Sequence, residues 1–255
     1  MRTAVWLLAA VLAFYALLCG ALFVLQRSLI YFPVPARGGD ASTRFELQVA
    51  GARLTVSHRP HAGPRALIYF GGNAEDVSLT LPLLAGAFES HAIYLPHYRG
   101  YGDSTGQPTE DALHADAQAL FDHVRRTHTD IVLIGQSLGS GVALRLASQR
   151  PASRLVLVTP YDSLANIAAR QFPYVPVRWL LQDTFESWRY APAIDIPALL
   201  IEAELDEVIP AESTRQLLAS FRPGVASHVV VPRAGHNTIS GSPAYLEALR
   251  RGVDG

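Results

Sequence analysis

The sequence is poor in cysteine and in net charge, and each shortage narrows the classes of protein that fit it. Cys19 is the one cysteine, so an intramolecular disulfide is excluded and the redox compartment is not indicated. The 21 basic and 22 acidic side chains nearly cancel, which gives no electrostatic reason to expect a nucleic-acid partner. The sequence also lacks an H-E-x-x-H pair, a cysteine pair, a P-loop and a dinucleotide-binding glycine pattern, so we predict no metal and no cofactor.

Charge is missing altogether from Ala4 to Leu25, a run of 22 residues. As a helix this run is long enough to cross about 30 Å of hydrocarbon. It predicts a single-pass N-terminal membrane anchor at residues 1–27, followed by a juxtamembrane linker at residues 28–44 that contains the turn-like residues 37–40. Arginines flank the run on both sides, so the sequence does not indicate which side of the membrane the rest of the chain faces.

A cleaved signal peptide is the alternative interpretation of this segment. The apolar run exceeds the usual hydrophobic region of about 7–15 residues in such peptides. The best small-residue cleavage site, Cys19-Gly20-Ala21, lies inside the run instead of after it. The pattern therefore favours an anchor that is retained.

Residues 45–255 alternate short apolar runs with amphipathic stretches, which predicts one α/β domain. The predicted strands are Phe45–Val49, Leu54–Ser57, Ala66–Phe70, Ala92–Leu95, Ile131–Ile134, Leu155–Val158, Ala198–Ile201 and His228–Val231. The predicted helices are Asp76–Phe88, Glu110–Arg126, Leu138–Gln149, Ala211–Phe221 and Pro243–Arg251. The first two strands alternate polar and apolar residues like an edge hairpin, whereas most of the others are continuously apolar, as in a parallel sheet buried on both faces. This order predicts a mostly parallel, doubly wound sheet.

One interval, residues 161–197, breaks the alternation. It holds four prolines, six aromatic residues beyond Tyr161, and only a patchy helical pattern. A connection this long between two strands is usually functional. We predict a short cap over the carboxyl edge of the sheet.

The strongest chemical signal is the string G-Q-S-L-G at residues 135–139. A G-x-S-x-G string alone is weak evidence, but here it directly follows a predicted strand and opens a predicted helix. That context is typical of a nucleophile elbow, in which a strained turn exposes a serine at the edge of the sheet. It predicts Ser137 as a nucleophile.

A serine nucleophile needs a base, which on this fold follows the serine in the chain. Only two of the nine histidines, His228 and His236, follow Ser137. His228 begins a predicted strand, where a structural role is expected. His236 lies in a loop beyond the last strand, where a base is able to reach a serine at the carboxyl edge, and we predict it as the base.

The acid that orients the base is expected after the strand Ala198–Ile201. Asp206 lies in the loop between this strand and the next helix, so we predict it as the acid, with Glu204 as the fallback. Three other acidic residues are candidates. Glu202 continues the strand, and Glu204 and Glu207 also fit the pattern of solvated surface side chains.

The second donor of an oxyanion hole is expected in the loop after the strand Ala66–Phe70. This loop reads G-G-N-A at residues 71–74, and its glycines let the backbone approach a ligand closely. We predict the backbone N–H groups of Asn73 and Leu138 as the oxyanion donors. A simple turn of Gly and Asn is the alternative.

Taken together, these strings resemble a group of membrane-anchored α/β-hydrolases that includes the fungal cell-polarity hydrolase and the animal protein depalmitoylases. Residues 96–106, P-H-Y-R-G-Y-G-D-S-T-G, are similar to the Y-R-G-Y-G-x-S-x-G stretch of that group. Residues 71–74 are similar to its H-G-N-A loop in all but the first residue, and residues 206–210 to its D-x-V-I-P acid loop. The stretch L-I-Y-F-P at residues 29–33 also fits, so the resemblance spans nearly the whole chain.

The resemblance implies an α/β-hydrolase fold in which each matching position keeps its role. It implies the following roles: Ser137 as nucleophile, Asp206 and His236 as its partners, and Asn73 and Leu138 as oxyanion donors. The chain departs from the pattern at Gly71, His97 and Ala203. We expect these departures to affect the lining of the pocket more than the triad.

The sequence thus predicts a serine hydrolase that cleaves carboxylic ester or thioester bonds, acting on a small-molecule or lipid-like acyl substrate at a membrane. A peptidase with the same triad is one alternative, because the chemistry is shared. A non-catalytic, membrane-anchored binding protein on a hydrolase scaffold is the other. Such proteins usually lose a triad residue, and all three are present here.

Overall fold

A computed structural model describes residues 2–39 and 41–255 of the chain, so Met1 and Asp40 lie outside the described residues. Within these ranges, eight strands form one sheet in the order β1-β2-β4-β3-β5-β6-β7-β8. The strands are β1 (Arg44–Val49), β2 (Ala52–Arg59), β3 (Arg65–Phe70), β4 (Ala92–Pro96), β5 (Asp130–Gln136), β6 (Arg154–Val158), β7 (Ala198–Ala203) and β8 (Ala226–Val231). Strand β2 pairs antiparallel with both β1 and β4, and all other pairs are parallel.

The helices are α1 (Arg2–Ile30), α2 (Leu81–Ala87), α3 (Glu110–Val124), α4 (Leu138–Ala147), α5 (Leu164–Gln171), α6 (Val177–Leu180), α7 (Ser187–Tyr190), α8 (Ala211–Ser220) and α9 (Pro243–Asp254). The predicted mostly parallel α/β sheet and its edge hairpin are confirmed. Each of the eight predicted strands is present, with ends that differ by at most two residues.

The central strands carry the core because both of their faces are covered. Every residue of β4 and β7 is buried, as are five of the six residues of β3. Successive side chains of β3 point to opposite faces: Ile68 and Phe70 pack into one hydrophobic cluster, and Leu67 and Tyr69 into the other. This double burial is the reason for the continuous apolar runs in the sequence.

One predicted helix is divided. The helix-like segment predicted near residues 76–88 forms in two pieces, because a 3₁₀ turn at Val77–Leu79 precedes α2. The physical reason is Pro82, whose ring in a continuous helix would meet the carbonyl of the residue four positions earlier. Asp76 caps the short turn by accepting a hydrogen bond from the N–H of Ser78 at 3.1 Å.

The predicted cap interval contains three short helices, α5, α6 and α7. Ser163 caps α5 by accepting a hydrogen bond from the N–H of Asn166 at 3.3 Å. Prolines at 173, 176 and 192 keep the helices short, since each lacks an N–H and resists a helix interior.

Helix α1 is long and apolar enough to cross a membrane, and its most apolar 18-residue stretch is not buried in the protein. Its C-terminal end lies against the cap, where Gln26 is buried. The helix continues to Ile30, three residues beyond the predicted end of the anchor at residue 27. The domain boundaries at residues 27/28 and 44/45 stay predictions.

A buried ion pair connects the loop after β4 to α3. Arg99 donates to Asp116 through two parallel hydrogen bonds, Nε to Oδ2 at 2.8 Å and Nη2 to Oδ1 at 2.7 Å. The two side chains are only 13% and 7% exposed. Because little water reaches them, loss of one charge would leave the other without compensation.

We therefore expect Asp116→Asn to lower the free energy of unfolding by about 3 kcal/mol, as for other buried pairs that lose one partner. The matched control is Asp122→Asn, which breaks the other two-bond pair with Arg150 at 2.8 and 3.0 Å. Asp122 is 53% exposed, and exposed pairs contribute about 0.2–1 kcal/mol. Thermal and urea unfolding in detergent measure both variants. Equal losses of unfolding free energy would contradict the larger contribution expected from the buried pair.

Candidate active site

The turn between β5 and α4 presents Ser137 in a backbone conformation that is rare for a residue with a side chain. Its φ and ψ angles are 49° and −117°. The neighbouring glycines make room for this turn: a Cβ on Gly135 would lie 2.3 Å from the carbonyl oxygen of Gly139, and one on Gly139 would lie 2.1 Å from that of Phe70. The two glycines of the G-x-S-x-G string are thus required because no side chain fits at their positions, whereas the serine supplies the hydroxyl group.

The three residues predicted as a triad lie in one line of hydrogen bonds. His236 Nε2 lies 2.9 Å from Ser137 Oγ, and His236 Nδ1 lies 2.9 Å from Asp206 Oδ2. The side chains of His236 and Asp206 are 7% and 5% exposed. Water therefore competes little for the bonds between them, and the carboxylate is able to orient the ring and stabilise its protonated form.

The loop after β7 holds Asp206 in place. Its Oδ1 accepts hydrogen bonds from the N–H groups of Val208 at 2.9 Å and Ile209 at 2.7 Å. The neighbouring Glu207 accepts from the backbone N–H of His236 at 3.0 Å. Sequence reasoning treated Glu207 as solvated, whereas it joins the acid loop to the histidine loop.

The other candidates for the acid and the base have partners of their own. Glu204 accepts from the backbone N–H of Arg233 at 2.7 Å, whereas the ring of His236 bonds to Asp206 and Ser137. Glu202 and His228 pair with each other across β7 and β8, with 3.0 Å between Oε2 and Nε2. The structure therefore brings together Asp206, His236 and Ser137, while the fallback acid Glu204 and the other candidates Glu202 and His228 bond elsewhere.

The glycine loop after β3 approaches the serine closely. A Cβ on Gly72 would lie 3.6 Å from Ser137 Cβ. Asn73 and Leu138 both line the cavity above Ser137. Leu138 is the first residue of α4, so its N–H is among those without a carbonyl acceptor inside the helix.

Two tyrosines from the loop after β4 support the glycine loop. Sequence reasoning found the glycine loop but missed this support. Tyr98 OH donates to the carbonyl of Gly71 at 2.8 Å, and Tyr101 OH donates to Asn73 Oδ1 at 2.9 Å. Phe32 N–H donates to the same Asn73 oxygen at 3.0 Å. The Y-R-G-Y-G string was the signal that marked these residues, but only the fold shows what they contact.

A third support is the half-buried carboxyl group of Glu75, which was not predicted either. Its Oε2 accepts from the N–H of Gly72 at 2.6 Å, and its Oε1 accepts from Tyr69 OH at 2.9 Å and Thr80 Oγ1 at 2.7 Å. Burial raises the pKa of Glu75, while the hydrogen bonds from Thr80, Gly72 and Tyr69 oppose that shift. Its acceptor oxygens fix the position of the glycine loop.

The departures from the family pattern lie away from the cavities that reach Ser137. A Cβ on Gly71 would lie 2.5 Å from Val77 Cγ1 and 3.0 Å from Glu75 Oε2, so this space is already filled. His97 is buried, with Nε2 2.8 Å from Ser57 Oγ. Ala203 is buried at the end of β7. Contrary to expectation, none of the three is among the lining residues of either cavity.

Two cavities meet at Ser137. The first, of about 300 Å³, is walled mainly by apolar residues of α1 and the cap and ends at Ser137 and Leu138. The second, of about 460 Å³, is more polar and includes Glu75, Asp76 and His236. Within residues 2–39 and 41–255, no cluster of three or more His, Cys, Asp or Glu side chains is arranged to hold a metal ion.

Comparison with known proteins agrees with this architecture. Residues 60–194 match the model of the alpha/beta hydrolase family, and residues 173–251 match that of TAP-like proteins. The uncharacterized protein Rv2307c of Mycobacterium tuberculosis is 35% identical over 244 residues, which cover 89% of this chain and 86% of that protein. The protein bem46 of Schizosaccharomyces pombe is 27% identical over 274 residues, covering 94% of this chain and 89% of that one.

Among solved structures, Est1E from Butyrivibrio proteoclasticus with bound ferulic acid superposes with a TM-score of 0.65 at 16% identity, covering 82% of this chain and 96% of that one. At this identity the likeness concerns the fold. The parallel sheet and the strand-turn-helix at Ser137 define an α/β-hydrolase. This chain belongs to the alpha/beta hydrolase family, in the group that includes the fungal cell-polarity hydrolase, and it is a hydrolase.

Tyr98→Phe tests the support of the glycine loop. Loss of one hydrogen bond costs about 1 kcal/mol, so a less well-held loop should lower kcat about fivefold on p-nitrophenyl butyrate in detergent. The control is Tyr94→Phe, which removes another tyrosine hydroxyl of the core whose partner, 3.0 Å away, is His128 Nε2 and not a group of the glycine loop. If both variants lose the same activity, Tyr98 does not act through the loop.

His97 should make stability depend on pH. Burial lowers its pKa from 6.5 to about 4. Between pH 6.5 and pH 4, the His97 ring binds a proton in the unfolded chain but stays neutral in the folded chain. The stability present at neutral pH is therefore lost as the pH falls towards 4. Since each unit of pKa difference corresponds to about 1.4 kcal/mol, the loss is up to about 3 kcal/mol.

The measurement is urea unfolding of the wild type and His97→Asn between pH 7 and pH 4. We expect a flatter pH profile for the variant, because asparagine does not titrate and the other buried histidines are common to both proteins. Parallel profiles would contradict this assignment.

Proposed function

We propose that this chain is a membrane-anchored serine hydrolase that cleaves carboxylic ester or thioester bonds through an acyl-enzyme on Ser137. The observation that carries the proposal is the hydrogen-bonded line from Ser137 Oγ to His236 Nε2, and from His236 Nδ1 to Asp206, with each distance 2.9 Å. This is the arrangement of nucleophile, base and orienting acid that activates a serine.

In the proposed acylation step, His236 Nε2 accepts the proton of Ser137 Oγ while Oγ bonds to the acyl carbon. The carbonyl oxygen takes the electron pair of its double bond and accepts hydrogen bonds from the N–H groups of Asn73 and Leu138. The positive end of the α4 dipole favours the same charge. Collapse expels the alcohol or thiol, which takes its proton from His236.

In the proposed deacylation step, water gives a proton to His236 Nε2 and attacks the acyl carbon. A second oxyanion forms in the same place. Its collapse releases the carboxylic acid and returns the proton to Ser137 Oγ. No group besides water is consumed.

Two features support an acyl substrate with an apolar chain held near a membrane. The cavity of about 300 Å³ above Ser137 has mainly apolar walls, as expected for a site that binds a hydrocarbon chain. Helix α1 contributes to these walls and makes polar contacts with the cap: Gln26 Oε1 accepts from Gln182 N–H at 2.7 Å, and Arg27 pairs with Asp183 at 3.2 Å. A helix built into the site in this way favours retention over removal as a signal peptide.

The arrangement of Ser137, His236 and Asp206 also favours this proposal over a scaffold that only binds. A binding protein has no need for a serine in a strained turn beside a buried histidine and aspartate, because such strain costs about 1–3 kcal/mol. Peptide bonds remain a second substrate class for the same triad, and a substrate screen decides between them.

Ser137→Ala provides the direct test. We expect it to abolish labelling of the detergent-solubilised protein by a fluorophosphonate probe and to lower ester hydrolysis by a factor of about 10³ or more. Ser148→Ala is the matched control, since this serine ends the same helix and its hydroxyl donates to the carbonyl of Arg145 at 2.7 Å. If folded wild-type protein is not labelled, or if Ser137→Ala is labelled equally, the serine mechanism is wrong.

A further inference from the structure

Helix α1 and the cap touch at several levels along the helix. Tyr15 OH donates to the carbonyl of Tyr174 at 2.8 Å, near the middle of the apolar run. Gln26 Nε2 donates to the carbonyl of Leu180 at 3.1 Å, eleven residues further along. At 1.5 Å per residue these contacts are about 16 Å apart, so the cap runs alongside a large part of the helix.

These contacts determine how deep the cap lies if α1 crosses a membrane. The apolar run from Ala4 to Leu25 is about 33 Å long as a helix, close to the thickness of the hydrocarbon. Tyr15 lies ten residues, about 15 Å, before the end of that run. A placement that kept Tyr15 in water would leave only residues 4–14, about 16 Å, to span the bilayer. The cap residues beside Tyr15 therefore enter the membrane with it.

The outer edge of the cap, residues 172–179, has the composition that this position requires. Phe172, Tyr174 and Trp179 are 44%, 87% and 88% exposed. Large exposed aromatic rings are unfavourable in water. Trp179 precedes Leu180, which lies beside the end of the apolar run, so Trp179 is placed for the layer between hydrocarbon and headgroups. Tyr174 lies deeper, beside Tyr15. Arg178 is also exposed at this edge, two residues before Leu180 at the end of the apolar run, and suits contact with lipid phosphates there.

The cavity above Ser137 lies between these same two elements. One wall comes from α1, with Leu22, Phe23 and Ile30, and the opposite wall comes from the cap, with Phe172 and Val175. Leu22 and Phe23 lie within the apolar run, and Phe172 lies close to Tyr174 in the chain. These parts of both walls are therefore at membrane depth, while Ser137 forms the inner end of the cavity.

We propose that cap edge 172–179 is a second membrane contact, inserted in the phospholipid bilayer beside α1. The cavity then opens to the hydrocarbon between the helix and the cap, and the acyl chain of a substrate reaches Ser137 from within the bilayer. The route to Ser137 rests on the proposed function, whereas the membrane contact does not.

The membrane contact is tested with the full-length chain reconstituted in phosphatidylcholine vesicles with or without dibrominated acyl chains. Trp6, Trp179 and Trp188 are the three tryptophans, so each is studied in a variant in which the other two are phenylalanine. Trp6 in α1 is the positive reference. Trp188 is the comparison, since it is also exposed, at 42%, but lies in α7 outside cap edge 172–179, where the Arg189 guanidinium is 5.2 Å from its ring centre.

We expect brominated lipid to quench Trp179 at least twice as strongly as Trp188, and to a degree close to that of Trp6. Equal quenching of Trp179 and Trp188 would overturn the membrane contact. Because this measurement needs no catalysis, its result is independent of the serine mechanism.

The route is tested with Leu22→Trp, which fills the α1 wall of the cavity, against Val24→Trp. Val24 is 77% exposed, does not line the cavity, and lies on the same helix two residues away. We expect Leu22→Trp to lower the ratio of kcat/KM for p-nitrophenyl palmitate to that for p-nitrophenyl butyrate at least tenfold. Val24→Trp should leave this ratio within twofold of the wild type.

The outcomes separate the two proposals. If the wild type hydrolyses neither ester and is not labelled by a fluorophosphonate, the proposed function fails. If it hydrolyses both and the two variants keep the same palmitate-to-butyrate ratio, the function stands and the route between α1 and the cap is wrong.

Discussion

The site depends on how closely the backbone after β3 packs against the start of α4. The carbonyl oxygen of Phe70 occupies the space that a Cβ on residue 139 would need, and Gly139 in turn occupies that of residue 135. Only because both positions are glycine does the chain turn sharply enough to hold Ser137 at a φ of 49°. The glycine loop then lies beside Ser137, so that its backbone N–H groups are close to any group bound at the serine.

The supports around this turn come from separate parts of the chain and converge on a few backbone groups. Tyr98, Tyr101 and Glu75 hold the glycine loop, while Val208 and Ile209 donate to Asp206 from the acid loop. Parallel strands bring these loops together, since their carboxyl ends lie at one edge of the sheet. Helix α1 and the cap cover that edge with apolar side chains and form the walls of the cavity.

Much of the fold was predictable because its periodicity is simple. Continuous apolar runs identified the strands β3 to β7, and G-Q-S-L-G identified the elbow. The division of the predicted helix at residues 76–88 was missed because Pro82 affects the carbonyl four residues earlier, which a hydrophobic pattern does not display. Glu75 and Glu207 were missed for another reason. They accept hydrogen bonds from backbone N–H groups in loops, and since nearly every residue has such a group, the sequence does not indicate which one will be the donor.

By itself, the sequence determined the order of strands and helices, the apolar N-terminal run, and the residue types available for acyl chemistry. These follow from local spacing, burial and the steric needs of glycine. Only the tertiary structure decided which acid bonds to His236. Glu204 and Asp206 are two residues apart, but the fold directs the Glu204 side chain to the N–H of Arg233 and the Asp206 side chain to His236. It also decided that α1 lies against the cap, since contacts between residues 15 and 174 depend on packing that no local pattern contains.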